Sequence, residues 1–290
     1  MASHGSARAI AVAFAGVALT IAGCGQATTP TQAPTAAPPS ATAAPAVVTA
    51  TPGAPSPGPS VAATPSMLSR NPAPYVEGAP YSIAINPADF HGYIDNSFFP
   101  MTAGSTFTFD GDEHVEVKVL DTQKVILGVP VVVVSDKVFD GDELVEDTLD
   151  YYAEDVRGNV WYFGEDTAEY EKGKVTSRAG SWIAGVDGAM PGIVMLAHPQ
   201  VGDVYRQEYL KGEAEDLAVV TAVSGSITVP LGTWSGADVL VTEEWTPLEP
   251  GVRERKTYVI GYGVVETRAI EGDPELVTLR SADIKVQMGG

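Results

Sequence analysis

Val145 to Thr167, VEDTLDYYAEDVRGNVWYFGEDT, is the stretch that most narrows what this chain can fold into. Two alternating segments flank Asp155-Val156-Arg157-Gly158-Asn159. A three-residue turn of that kind needs one residue at positive φ, which glycine adopts without steric cost. The stretch therefore reads as a β-hairpin. With Asp155 opposite Asn159, Ala153 faces Trp161, Tyr151 faces Phe163 and Leu149 faces Glu165. These share one face with Val145 and Asp147, because side chains alternate along a strand. The other face takes Glu154 with Val160, Tyr152 with Tyr162, and Thr148 with Asp166. One face is aromatic and aliphatic and the other largely polar, the pattern of an antiparallel sheet with one side buried. Asp147 and Glu165 fall on the apolar face, where carboxylates seldom sit unpaired. Either the strand end runs into solvent there or the two mark a site at a barrel mouth. A register slip of one residue would remove the anomaly.

The same alternation of strand and turn continues on both sides. Lys124 to Ser135 contains VPVVVVS, too β-branched for anything but a buried strand. FDGDE occurs at Phe109 to Glu113 and again at Phe139 to Glu143, each time placing Asp-Gly between apolar strands, a hairpin signal. Further strands are expected at Ser105 to Phe109, Val115 to Leu120, Val175 to Trp182, Asp203 to Tyr209, Ala218 to Val223, Ser226 to Val229, Ala237 to Trp245, Arg253 to Ile260, Gly263 to Ala269 and Glu275 to Arg280. Asn86-Pro87-Ala88-Asp89-Phe90 suits one short helical turn, with Asn at the N-cap and Pro after it. Ala184 to Pro199, AGVDGAMPGIVMLAHP, breaks the pattern: apolar, rich in glycine and carrying Met190, Met195 and His198. It reads as a long loop that covers one open end of the core or lines a pocket mouth. No segment of more than a couple of turns has helical periodicity. The expected fold is all-β, an antiparallel meander forming a single barrel, half-barrel or sandwich.

The N-terminal part is of a different kind. Arg8 precedes the apolar run Ala9 to Ala22, too short to span a membrane comfortably, which ends in Ile21-Ala22-Gly23-Cys24. That ending resembles the bacterial lipobox, after whose cleavage the new N-terminal cysteine carries diacylglycerol and usually an amide-linked acyl chain such as palmitate. Several acyl chains anchor stably where one is marginal. Cys24 is the only cysteine of the 290 residues, so internal disulfides and cysteine-rich zinc sites are excluded. Gln26 to about Ser66 is almost wholly Ala, Pro, Thr and Ser. Such a segment has little to bury and stays extended, at ~3.1 Å per residue reaching on the order of 100 Å. The expected layout is a lipoprotein signal peptide over 1–23, a lipidated Cys24 and disordered stalk over 24–70, and one β-rich extracytoplasmic domain over 71–290.

Lys+Arg 17 against Asp+Glu 37 gives a formal charge of −20, which argues against nucleic-acid partners and against basic adhesion to anionic lipid. No nucleophile elbow, His-Glu-x-x-His or glycine-rich phosphate loop is present. Ser181, Asp187 and His198 fall in one region but carry no triad signature. Asp147 and Glu165 could work as acid and base on a glycan if close enough. Asp150, Asp155, Asn159 and Asp166, and also Glu213, Glu215 and Asp216, offer oxygens of the kind calcium uses, as solvated turns also do. No catalytic residue, metal ligand or cofactor is assigned.

IDNSFFPMTAGSTFTF, EDTLDYYAEDVRGNVWYFGED, GSWIAGVDGAMPGIVMLAHP, YRQEYLKGEAED and VPLGTWSGADVLVTEEW with GYGVVE resemble a family of secreted or lipid-anchored bacterial β-rich proteins that is uncharacterised. The resemblance covers roughly Tyr93 to Glu266 and implies a fold and an address but no activity. The chain is expected to be a lipid-anchored, extracytoplasmic envelope protein that binds a small apolar or lipid-like ligand through its domain. The ligand-binding candidates are Asp147, Trp161, Glu165, Trp182, Met190, Met195 and His198. The alternatives are a carboxylate-dependent hydrolase of envelope glycan and a purely structural surface module.

Overall fold

The computed structural model describes residues 70–286. Cys24, the signal segment and nearly all of the stalk lie outside the described residues.

A one-turn 3-10 helix at Pro87–Asp89 opens from Asn86, whose side chain accepts from the Ala88 amide as expected of an N-cap. The strands that follow, in chain order, are β1 Phe90–His91, β2 Thr106–Gly111, β3 His114–Ile126, β4 Val129–Asp140, β5 Glu143–Asp155 and β6 Val160–Glu171. Next come β7 Lys174–Ser177, β8 Trp182–Ile183, β9 Met190–Met195, β10 Val204–Arg206, β11 Glu208–Tyr209 and β12 Leu217–Ala222. The last are β13 Gly225–Val229, β14 Gly232–Gly236, β15 Val239–Trp245, β16 Arg253–Val259, β17 Gly263–Glu271 and β18 Leu276–Asp283. β13 and β14 form a hairpin of their own, so a strand over Gly232–Gly236 precedes the one expected from Ala237. The others make one antiparallel sheet whose path runs β10-β12-β15-β16-β17-β18-β2-β3-β4-β5-β6-β9-β11. Its first and last members are separated in sequence by Gln207 alone, so the sheet curls into a nearly closed barrel.

The seam at Gln207 accounts for β9. Glycine made Ala184 to Pro199 look like a loop, yet six of its residues are a strand between β6 and β11. A Cβ on Gly192 would collide with the Arg206 and Gln207 backbone. Glycine here lets two strands pass closely where the barrel shuts. Residues just after the stalk reinforce the seam: the Tyr75 amide donates to Val204 O, Arg206 N to Ala73 O, and Tyr81 Oη to Pro191 O at 2.7 Å.

The hairpin of β5 and β6 forms with Gly158 at φ 92° and Asp155 N donating to Asn159 O. The Asp155 carboxylate organises the turn, accepting from the amides of Arg157 and Asn159 and from Trp161 Nε1 at 3.0 Å. Ala153 stands opposite Trp161, and Tyr152 opposite Tyr162, as expected. Beyond them Gly164, at φ 133°, makes a β-bulge, and the register moves by one. Glu165 now opposes Asp150, and Leu149 opposes Asp166.

The faces also differ from the expected assignment. The row read as polar, Glu154, Tyr152, Asp150 and Thr148, points into the barrel and is buried. The aromatic face lies outside, yet it too is covered, because Phe90 packs edge-on against Trp161 and Phe163 at 6.1 and 5.4 Å. β4 is accordingly buried on both faces, Val131 to Val134 having almost no exposure. One end of the barrel is filled by the segment before β2. The Asp95 and Asn96 amides both donate to Glu154 Oε2 at 2.8 Å, and Phe99 meets the Tyr152 ring edge-on at 5.2 Å.

Candidate functional site

The barrel interior is unusual for its acids. Following the register inward-facing residue by inward-facing residue, β4 supplies Asp136, β5 supplies Glu146 and Asp150, β15 supplies Glu244, and β16 supplies Glu254 and Lys256. The bulge at Gly164 brings Glu165 onto the same face, and β11 adds buried Glu208.

Hydrogen bonds join these groups in two separate sets, one on each side of the barrel. Thr167 Oγ1 donates to Glu165 Oε2 at 3.1 Å, and Thr148 Oγ1 bridges Thr167 and Glu146 at 3.1 and 3.0 Å. Tyr162, stacked on Tyr152 at 4.8 Å, donates its hydroxyl to Asp150 Oδ1 at 2.6 Å. Trp182 Nε1 donates to Glu208 Oε2 at 2.8 Å while its ring meets Tyr162 edge-on. Across the barrel Lys256 Nζ lies 2.9 Å from Glu244 Oε2, whose other oxygen accepts from Thr242 and Tyr258 hydroxyls.

Several polar atoms in this interior meet no protein partner: both oxygens of Asp136, Asp150 Oδ2, Tyr152 Oη, Glu254 Oε1, Thr267 Oγ1 and both amide atoms of Gln207. An orphaned buried polar group is costly, so these atoms call for a polar guest or water as partner. Burial, reinforced by the neighbouring carboxylates, pushes the Asp136, Glu165 and Glu208 carboxyls well above the usual range. Burial likewise raises Asp150, Glu146 and Glu254 to about 7. Lys256 stays charged: burial opposes it, but Glu244 and Glu254 more than compensate and raise its pKa. Toward the β2–β3 turn, burial and each other's neighbours carry Glu113 and Glu275 to about 8.

The interior reaches the surface where β6 exchanges one partner for another, from β9 at Tyr162 to β8 at Gly164 and Glu165. A cavity of ≈ 290 Å³ opens there, lined among others by Glu165, Trp182, Ile183, Val186, Leu210 and Lys124. Glu165 is half-buried and belongs both to this lining and to the interior row.

Of the residues singled out from sequence, Glu165 and Trp182 are brought together, as partners across β6 and β8. Asp147 is not with them. It lies on the outer face, 3.2 Å from Lys137 Nζ and opposite Ala168. Trp161 is packed outside the barrel and held by Asp155. Met195 is buried opposite Val160, Met190 pairs with Tyr209, and His198 is exposed beyond β9. Ser181 and Asp187 line the cavity, but the Ser181 hydroxyl is spent on the Thr167 backbone. Sequence reasoning missed Asp136, Glu208, Glu254 and Lys256, and singled out Asp150 only as an oxygen of the kind calcium uses. The available signal was a run of adjacent charged residues within a strand, as in TEEW and RERK, which must put some of them on the inner face. Among the described residues no group of three or more His, Cys, Asp or Glu is placed to hold a metal ion.

No family model matches the chain, and no curated protein matches it. Among solved structures it is similar to the crystal structure of a "putative lipoprotein" from Parabacteroides distasonis, at 12% identity and a TM-score of 0.35. That likeness covers 65% of this chain and 99% of the other, and it is too distant for any conclusion here to rest on it.

Proposed function

We propose that the chain is a bacterial envelope lipoprotein, held to the membrane through Cys24, whose barrel binds a small organic cation with an apolar body. The anchor rests on the Ile21-Ala22-Gly23-Cys24 ending of a short apolar run, followed by a segment of Ala, Pro, Thr and Ser that carries the barrel away from the bilayer. The ligand class rests on one observation: Glu165 lies in a cavity of mixed lining, apolar at Trp182, Ile183 and Leu210 and charged at Lys124, Asp166 and Asp187, and it stands opposite Asp150, one of the interior carboxyls with an orphaned oxygen. A purely apolar guest would leave those oxygens unpaired. An amine satisfies them, while Trp182, Ile183 and Leu210 contact its hydrocarbon. The hydrolase alternative loses its acid–base pair, since Asp147 and Glu165 lie on opposite faces of the sheet.

Isothermal titration of the detergent-solubilised full-length chain with hexylamine and with hexanol tests the ligand class. Binding of the amine, with little or none of the alcohol, supports it, as does an affinity loss of about tenfold in Glu165→Gln. Equal binding of both probes would return the site to the apolar class. Binding of neither would leave the barrel a structural module.

A further inference from the structure

A second cavity lies on the opposite side of β4, and an irregularity in β3 creates it. The β3–β4 ladder pairs Val119 with Val134 and resumes at Gln123 with Val132, so Leu120, Asp121 and Thr122 are set against Val133 alone. β2 pairs only as far as Lys118, and the last bonds alongside this part of β3 come from the residues just before it, Gly104 N to Val119 O and Val119 N to Ser105 O. The bulge therefore swings clear of both neighbours. Between it and the segment running from Gly92 to Ala103 is a space of ≈ 420 Å³, larger than the Glu165 cavity and within the ~300–1,000 Å³ typical of small-molecule sites.

The lining combines two chemistries. Tyr93 keeps 39% of its surface exposed, and His91 stacks on its ring at 4.9 Å with 14° between the planes, which holds the phenol upright. Met101, Leu120 and Val132 extend the apolar surface. Around it stand Thr102, Asp121, Thr122 and Gln123. Gln123 donates from Nε2 to Gly92 O at 2.7 Å, which ties the bulge to the opposite wall and fixes the spacing of the two sides. No lysine or arginine lines the cavity.

We propose that this cavity is a binding site for a neutral pyranose sugar. A pyranose presents a face of C–H bonds, which an electron-rich aromatic face attracts, and a rim of hydroxyls that each donate and accept. Tyr93 provides the platform, held in place before the ligand arrives. Thr102, Thr122, Gln123 and Asp121 provide a mixed set of donors and acceptors suited to that rim. With Asp121 as the charge in the lining and no cation opposite, phosphorylated and uronic sugars are repelled. The site is independent of the acid-lined interior.

Saturation-transfer NMR and isothermal titration of the full-length chain with the neutral, fully N-acetylated chitotriose, glucose 6-phosphate and glucuronic acid test this. Chitotriose is expected to bind at millimolar or lower concentration, with transfer to its ring protons, and the two anionic sugars are expected not to. Tyr93→Ala should weaken chitotriose about tenfold or more, and Tyr93→Trp should preserve it. Thr122→Ala, at an exposed position, gives an independent loss if the Tyr93 variant folds poorly. The proposal is overturned if chitotriose shows no transfer at millimolar concentration, if the anionic sugars bind as well, or if folded Tyr93→Ala binds as the natural chain does.

Discussion

Asp150 and Glu165 face each other across β5 and β6 inside the barrel, with Tyr162 donating to the first and Thr167 to the second. Two carboxyls at such a cross-strand position repel when both are ionised, and burial removes the water that would screen them. At least one proton is held there at neutral pH, and the same holds for the acids further along the interior.

Stability should therefore depend on pH in an uncommon direction. Asp150, Glu146 and Glu254 have folded pKa values of about 7, and Glu113 and Glu275 of about 8, all above their ordinary values. Below the ordinary carboxylate range both folded and unfolded chains are protonated, and these groups contribute no difference. Above it the unfolded chain releases protons that the folded chain retains, so stability falls as pH rises from the ordinary carboxylate range through these folded values. Thermal melts should show a midpoint several degrees higher at pH 5 than at pH 8. A higher midpoint at pH 8 would contradict the acid-lined interior.

The bulge that delivers Glu165 to the interior depends on Gly164. Its φ of 133° is open to glycine, and a Cβ there would collide with the Trp182 carbonyl. Gly164→Ala is expected to cost about 2–4 kcal/mol in urea unfolding, and Gly158→Ala about 1–2 kcal/mol, because the turn carries positive φ with less crowding. Equal costs would mean that the bulge is not constrained by β8.

Lys256 and Glu244 form a buried pair, so removing one partner should hurt more than removing both. Lys256→Met alone is expected to lose about 3–5 kcal/mol, and adding Glu244→Gln should recover part of that loss. Denaturant midpoints for the two single variants and the double variant supply the cycle. Strict additivity would show that the pair does not act as a unit.

The features legible in the sequence were local ones. Gly158 announced its turn, the Asp-Gly tracts announced the hairpins at Asp112 and Asp142, and VPVVVVS announced a buried strand. What failed depended on distant contacts. Gly164 inside an alternating strand gives no sign that β8 will press on it, so the register beyond Tyr162 came out one residue off. Gly192 made β9 look like a loop because the need to pass Gln207 appears only once the barrel closes. The hairpin's polar row seemed to face solvent, since Phe90, which covers the other face, lies more than fifty residues upstream. Half of the candidate site followed from Glu165 and Trp182. The other half, Asp150, Glu208 and Asp136, needed the faces the right way round.

The anchor has its own test. Cells producing the full-length chain should yield it in the detergent phase of a Triton X-114 separation, and Cys24→Ala should move it to the aqueous phase, since lipidation requires that sulfur. A Cys24→Ala chain that stays in the detergent phase would point to retention by an uncleaved apolar segment instead.

Native mass spectrometry of the full-length chain released from its own membranes tests the central claim most directly. A co-purifying amine-bearing molecule, lost on denaturation and absent from Glu165→Gln, is expected. A neutral lipid in its place, or a ligand-free mass that persists in excess hexylamine, would contradict it.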